Sequence, residues 1–432
     1  MLQLLTWLPH LSATLLTAVI ALLISSRYLT GTVHRGLVFA ATFILCLVPL
    51  PIYPLTHYIR VIVGDLSVVT VMTLVLIAAE RLRSVPLLAQ QEKFNIAALV
   101  VGVCLVLYPT ALGFTTFDLY TRGYYPIILA PALLALFGYC LLSSRYWAAA
   151  LLAAGFAGYA LGILESDNLW DYLVDPVLLC YAGTLLISHR RELNFSRPAQ
   201  QDVERFLLMV VASFLLFAVY LSRANPDAFR YEFTIEDGFI EWCTVLVLLT
   251  TMVVCGRRFI LLRGHRSRLF LSVTALLTLL CLFGAGEEIS WGQRIFGLET
   301  PEYLQERNAQ GEIGLHNLVV EINGEEVKLN KLIFGTGLAL ALLIYLFVAT
   351  PLYRTKAPVT RFFDAIAAPM PRNYHIIGYL AVVATVELLV DSSKRGEMTE
   401  FAGSIIFALN VIYPDNAELF KLESGKTEQA LT

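Results

Sequence analysis

The sequence predicts an all-α polytopic membrane protein, and three observations carry that prediction. The 432 residues are 57% hydrophobic and 15% charged, against about 25% charged in a soluble domain. Apolar runs of roughly 17 to 25 residues, the length a helix needs to cross a bilayer, recur along the whole chain. The segments between them alternate between basic and acidic. Lipid cannot satisfy backbone polar groups, so irregular backbone belongs at the faces or inside a cavity.

Taken in order, the expected spans fall near 7–26, 36–52, 61–79, 95–113, 126–143, 146–164, 173–188, 206–222, 238–255, 269–286, 332–350 and 375–391. That is about twelve. A thirteenth candidate, 401–413, is short for a crossing and reads as a re-entrant or interfacial helix or a tilted last span. The first run lacks a basic leader region and is long enough to span, so it reads as a span rather than a cleaved signal. The loop 189–205, with Asn194-Phe195-Ser196-Arg197-Pro198, is the candidate linker. It divides a seven-helix part, 1–188, from a second part, 206–432. No internal repeat is visible, so an inverted-repeat transporter is not suggested. The seven cysteines all fall in apolar runs without a CxxC pair and read as small buried hydrophobes.

Orientation follows from the basic residues. One alternating set of loops (27–35, 80–94, the turn at Arg145, 189–205, 256–268 and 353–373) holds 19 Lys and Arg, and the opposite set holds 10. The positive-inside rule places the first set in the cytoplasm and the N-terminus outside. A multi-pass protein of the cell (inner) membrane is the expected location. The outer set is acidic, with 24 Asp and Glu, and acids contribute little to orientation. A solvated rim explains many of them. Asp65, Glu241, Glu287 and Glu387 lie inside or against apolar runs, where ionisable groups usually face a bundle interior or a cavity. Between Glu165 and Asp175 the acids at 167, 171 and 175 are four apart. The segment reads as an amphipathic turn with Leu169, Trp170 and Tyr172 at headgroup level, or as a contributor to a cation site.

Chemistry is concentrated in 284–317. There an apolar run ends in Gly284-Ala-Gly286-Glu287-Glu288-Ile-Ser290-Trp291-Gly-Gln293-Arg294, and a polar loop leads to Gly314-Leu-His316-Asn317. If the helix continues, Glu287, Ser290, Trp291 and Arg294 share one face. Arg294 then neutralises Glu287 and leaves Glu288 freer. A structural ion pair at a helix end is the plain alternative to a metal ligand or a general acid/base. A carboxylic acid withdrawn from water suits proton transfer. Gly284 and Gly286 fit close helix packing or local unwinding. His316 is either a hydrogen-bonding loop residue or, beside carboxylates, a base or cation ligand. In Glu236-Asp237-Gly-Phe-Ile-Glu241, capping explains the first two acids but not Glu241, one turn deeper. The segment 297–331 should form a small outer cap: a short helix over 301–307, started by Thr300-Pro301-Glu302, and a hairpin turning at Asn323-Gly324.

Familiar sites are missing. There is no Walker motif, GxSxG, GxGxxG or HExxH, and no outward basic patch with aromatics, so neither nucleotide nor nucleic acid is an expected partner.

The run Gly-Glu287-Glu288-Ile-Ser-Trp291-Gly-Gln293-Arg294 followed by Gln-Gly-Glu-Ile-Gly-Leu-His316-Asn317 is similar to a set of bacterial multi-span membrane proteins. The general plan also resembles membrane glycosyltransferases that use polyprenyl-phosphate donors. It departs from one branch of them, whose acidic pair lies in a large first outer loop that this chain lacks. Leu-His316-Asn317 is similar to the histidine loop of O-antigen ligases, over too few residues to transfer roles. The resemblance implies an outward-facing enzyme acting on a membrane lipid or lipid-linked substrate. No residue role is carried over from it; on the residues' own chemistry and placement, Glu287, Glu288, His316 and Arg294 are the catalytic candidates, with Asp65, Asp237, Glu241, Trp291, Gln293 and Asn317 around the substrate and a divalent cation as candidate cofactor. Two other classes stay open: a cation- or proton-coupled transporter using Asp65, Glu241, Glu287 and Glu387, and a scaffold whose cap binds a partner.

Overall fold

The computed structural model describes residues 8–50, 52–115, 117–192, 198–305, 308, 313–314, 318–322, 325–328 and 337–422. The chain folds as two compact units, Met1–Val210 and Val211–Thr432. The division falls inside the helix that follows the 189–205 loop, not in the loop itself. Among the described residues five helices are long and apolar enough to cross a bilayer: Gln90–Ala111, Gln200–Ala224, Phe239–Leu262, Arg268–Glu288 and Leu338–Thr355. Six shorter apolar helices accompany them.

Unit 1 contains α1 (Leu8–Ser25), α2 (Thr32–Leu47), α3 (Leu55–Val63), α4 (Val68–Arg83), α5 (Gln90–Ala111), α6 (Leu129–Leu142), α7 (Tyr146–Ala160), α8 (Trp170–Leu173) and α9 (Pro176–Ser188). A two-residue pair, β1 (Pro49–Leu50) with β2 (Tyr53–Pro54), lies between α2 and α3. The run expected as one span over 61–79 is broken. Gly64 takes a φ of 76° and ends α3, and Ser67 restarts the chain by accepting the Thr70 N–H at 3.1 Å as the cap of α4. Asp65 therefore sits in a break, ion-paired to Arg60 at 2.7 Å.

The 165–175 segment also departs from expectation. It is not a surface helix at headgroup level. Leu169, Trp170 and Tyr172 are buried, and Leu169 and Trp170 pack with Val69, Cys104, Leu107 and Leu178 in one core. Asn168 and Trp170 hold the segment inward, donating to the Tyr120 carbonyl at 2.9 Å and the Leu119 carbonyl at 3.1 Å, and Asp175 anchors its far end. It caps α9 by accepting Leu178 N–H at 2.8 Å, and it also accepts Ser67 N–H at 2.8 Å and the Thr70 hydroxyl at 2.5 Å. One buried carboxylate thus ties the starts of α4 and α9 together. Five of the seven cysteines are buried.

The helix α10 (Gln200–Ala224) leads into unit 2, which continues with α11 (Phe239–Leu262), α12 (Arg268–Glu288), α13 (Gln293–Phe296), α14 (Glu302–Gln305), α15 (Leu338–Thr355), α16 (Ala357–Ala365), α17 (Asn373–Leu389) and α18 (Arg395–Ile412). Within α15 the turn Tyr345–Ala349 widens to π geometry just before Pro351, which has no N–H to give the ladder. Packing joins α11 to α12 and to α18, and α17 to α18. The segment expected as a short 401–413 piece is the 18-residue α18, with ten residues buried. An interfacial helix would leave one apolar face uncovered, so α18 is an interior helix. Arg258 donates to the last carbonyls of α18, Val411 at 2.6 Å and Ile412 at 2.8 Å, closing a helix end that would otherwise bury bare oxygens.

The cap elements form as α14 and as β3 (Val319–Ile322) paired antiparallel to β4 (Glu325–Lys328). The register Ile322↔Glu325 leaves residues 323–324 between the strands; these two lie outside the described residues.

Candidate functional site

The break after α12 is the structural centre of unit 2. The helix ends at Glu288, and Ser290, Trp291 and Gly292 take φ values of 46°, 55° and 74°. A left-handed turn is free for glycine but costs about 1–3 kcal/mol at each other residue, and such strain persists only where the surroundings dictate it. They do so here. The Trp291 indole N–H donates to Glu287 Oε1 at 2.7 Å, and its ring meets Phe283 edge to face at 5.8 Å. The ring also lies against Gly286, where a Cβ would come 2.9 Å from Trp291 Cε3. Gly286 is therefore glycine so that the indole can fold back on its own helix. At Gly284 a Cβ would stand 3.3 Å from Leu248 of α11, which fits the packing explanation for both glycines.

Because the helix does not continue, Glu287 and Arg294 do not form the expected shared face. Arg294 pairs with Asp237. Asp237, at a φ of 54°, offers its own N–H to Glu241 Oε2 at 2.5 Å. This corrects the reading of the α11 start: Asp237 is held by Arg294, and Glu241 is the residue that reaches back to the helix entry. Gln293 holds the cap, donating to the Thr300 hydroxyl at 2.6 Å and accepting Ile313 N–H at 2.7 Å. Asn308 donates to Gly314 O at 2.8 Å. His316 and Asn317 lie outside the described residues.

Five carboxylates from three helix ends are electrostatic neighbours at this place. Glu288 experiences the charges of Glu400, Glu397, Glu241 and Glu287, and Glu241 experiences those of Glu397, Glu236 and Glu400. Glu241 is the third residue of α11, Glu287 and Glu288 are the last two of α12, and Glu397 and Glu400 lie in the first two turns of α18. Glu287 is 5% exposed. Glu236 and Glu387 stand at the margin, paired with Lys394 at 3.4 Å and Arg395 at 2.8 Å. Among the described residues no three His, Cys, Asp or Glu side chains are gathered tightly enough to hold a metal ion. The arrangement is one of carboxylates that feel one another's charge.

Of the expected residues, the structure brings together Glu287, Glu288, Trp291, Gln293, Arg294, Asp237 and Glu241 in unit 2. Asp65 belongs to unit 1. Glu397 and Glu400 stand in the sequence only as members of an acidic segment. Their Glu-x-x-Glu spacing, on the first turns of an apolar helix, was the available signal. His375, on the basic side and unremarkable in sequence, is fully buried, and its Nδ1 accepts Arg372 N–H at 3.1 Å at the start of α17.

Comparison with known protein families, with curated proteins and with solved structures finds no match.

Proposed function

We propose that the protein is an integral membrane enzyme whose acid–base site is the carboxylate cluster where α12 ends and α11 and α18 begin. The observation that supports it is the mutual approach of Glu241, Glu288, Glu397 and Glu400 from three helices. Carboxyl groups that share protons supply an acid and a base at one place. In this reading Glu287 is architecture, held by Trp291, and Glu288 is the base. Arg294, half-exposed and held by Asp237, stands ready to exchange that partner for a substrate phosphate.

The substrate class is a membrane lipid or lipid-linked molecule, with glycosyl transfer from a polyprenyl-phosphate donor as the specific reaction. Glu288 takes the proton of an acceptor hydroxyl, the acceptor oxygen bonds to the sugar carbon, and the bond to the carrier phosphate breaks. The basic loops assign the cytoplasmic side, so the cluster faces outward in the inner membrane. A cation-coupled transporter is less well supported, because it needs ionisable groups along a path and these stand at helix ends.

The test is the lipid-linked saccharide profile of cells carrying Glu288→Ala or His316→Ala. The expected result is accumulation of an unused donor in both. Unchanged profiles from well-expressed variants would sink the glycosyl-transfer reading.

A further inference from the structure

Unit 1 holds a cavity of about 480 Å³, separate from the carboxylate cluster of unit 2. Small-molecule sites run from about 300 to 1,000 Å³. Its walls come from the α3–α4 break, the end of α5 with the loop beyond it, and the 164–176 segment. Asp65, Glu165, Asp171 and Asp175 line it, and among the described residues no Lys, Arg or His does.

The four carboxylates are not equivalent. Asp65 is paired with Arg60, and Asp175 is committed to the starts of α4 and α9. Among the described residues Asp171 meets neutral donors: the Tyr120 hydroxyl, 3.0 Å from each carboxylate oxygen, and Ser166 Oγ at 2.5 Å. These orient its charge without cancelling it. Burial and the Asp171 carboxylate hold the Tyr120 hydroxyl protonated well above its ordinary range, so it is a constant donor. Glu165 is exposed at the rim, with Arg60 its electrostatic neighbour.

The remaining lining is aromatic and apolar, including Tyr108, Tyr120 and Trp170. The buried Tyr108 hydroxyl has no oxygen or nitrogen partner among the described residues; the Cys104 thiol is its neighbour, and a thiol is a weak partner. A buried hydroxyl at a cavity wall without such a partner marks a place where a ligand atom can complete the bonding. Aromatic rings beside an uncancelled carboxylate are the chemistry that holds organic ammonium groups.

We propose that this cavity binds an organic ammonium group, with Asp171 and Glu165 as its counter-charges and Tyr108, Tyr120 and Trp170 enclosing its apolar part. The same group occurs on soluble polyamines and on ethanolamine lipid headgroups, and two measurements separate these sources. The purified full chain in neutral detergent is titrated with spermidine by equilibrium dialysis. The same preparation, supplied with equal amounts of phosphatidylethanolamine and phosphatidylglycerol, is examined by native mass spectrometry for retained lipid.

Saturable spermidine binding, or selective retention of phosphatidylethanolamine, is the expected result, and whichever occurs names the source. Asp171→Asn should weaken it by about 10-fold or more, the size of a desolvated cation contact. That change also alters the Tyr120 contact, so Glu165→Gln, at an exposed position, and Tyr108→Phe serve as the second arm. Both should weaken binding without shifting the thermal midpoint. Absence of both kinds of binding in the unaltered protein overturns the proposal. Equal binding by the unaltered protein and all three variants does so too.

Discussion

Trp291 donates its indole N–H to Glu287 at 2.7 Å, across the point where α12 leaves the right-handed helix. The bond fixes which of two adjacent carboxylates is spoken for. Glu287 holds the indole, and Glu288 feels the charges of the acids of α11 and α18.

Replacing Trp291 by Phe keeps a ring and removes the donor to a carboxylate. The expected loss is about 1.5–3 kcal/mol of stability, read as a lower denaturation midpoint of the detergent-solubilised protein. Gly286→Ala should cost about 1–3 kcal/mol by overpacking the ring. Combined with Trp291→Ala, the Gly286→Ala cost should largely vanish, because the atom it collides with is gone. A strictly additive double variant would refute the ring-against-glycine contact.

Gln293→Ala should release the loop from both Thr300 and Ile313. Limited proteolysis between 297 and 313 should become several-fold faster while the far-ultraviolet dichroism stays unchanged. Unaltered cleavage would show that the loop has other, sufficient anchors.

Asp175→Ala removes the acceptor for three donors, one of them a helix cap. Caps are worth about 0.5–2 kcal/mol and each orphaned buried donor about 1–3 kcal/mol. A loss of roughly 3 kcal/mol or more is expected, with Asp175→Asn intermediate. A change below about 1 kcal/mol in equilibrium unfolding would contradict the bridging role.

The Glu80 carboxyl is held below the usual carboxylate range. Burial pushes it up, but the Lys93 ammonium at 2.6 Å and the amides of Leu88 and Leu87 outweigh that. A group with a depressed folded value contributes stability above its unfolded value and loses it as the pH falls through the folded one. The stability gap between the unaltered protein and Glu80→Gln should therefore be widest near neutrality. It should close as the pH drops below the ordinary carboxylate range, as read by thermal unfolding at stepped pH. A gap independent of pH would assign the effect to packing.

The helical plan was legible because period and length suffice to mark apolar helices, and the hairpin because Asn323-Gly324 has few alternatives. What escaped notice was carried by distant partners. The restart of the chain at Ser67 is braced by Asp175, and the inward Trp170 is held by Asn168 and the Leu119 carbonyl. The left-handed turn at Ser290–Gly292 shows only one glycine in sequence, so continuation of α12 through Arg294 was the natural expectation. The Trp291 ring, folded back on Glu287 and Gly286, is what holds the turn. In the site, Glu287 and Glu288 announced themselves by standing at the edge of an apolar run. Glu397 and Glu400 did not, because only the packing of α18 between its neighbours brings them to α12.

Asp175 and Ser67 are separated by 108 positions. A chain made from its N-terminus completes α4 long before the carboxylate that anchors its first turn has been synthesised, and domains form in that order. Until α9 arrives, Ser67 and Thr70 must be served by water or by the translocation machinery. The start of α4 is thus the point at which assembly of unit 1 has to wait, and a ribosome paused before residue 175 would leave α4 in place but unlatched.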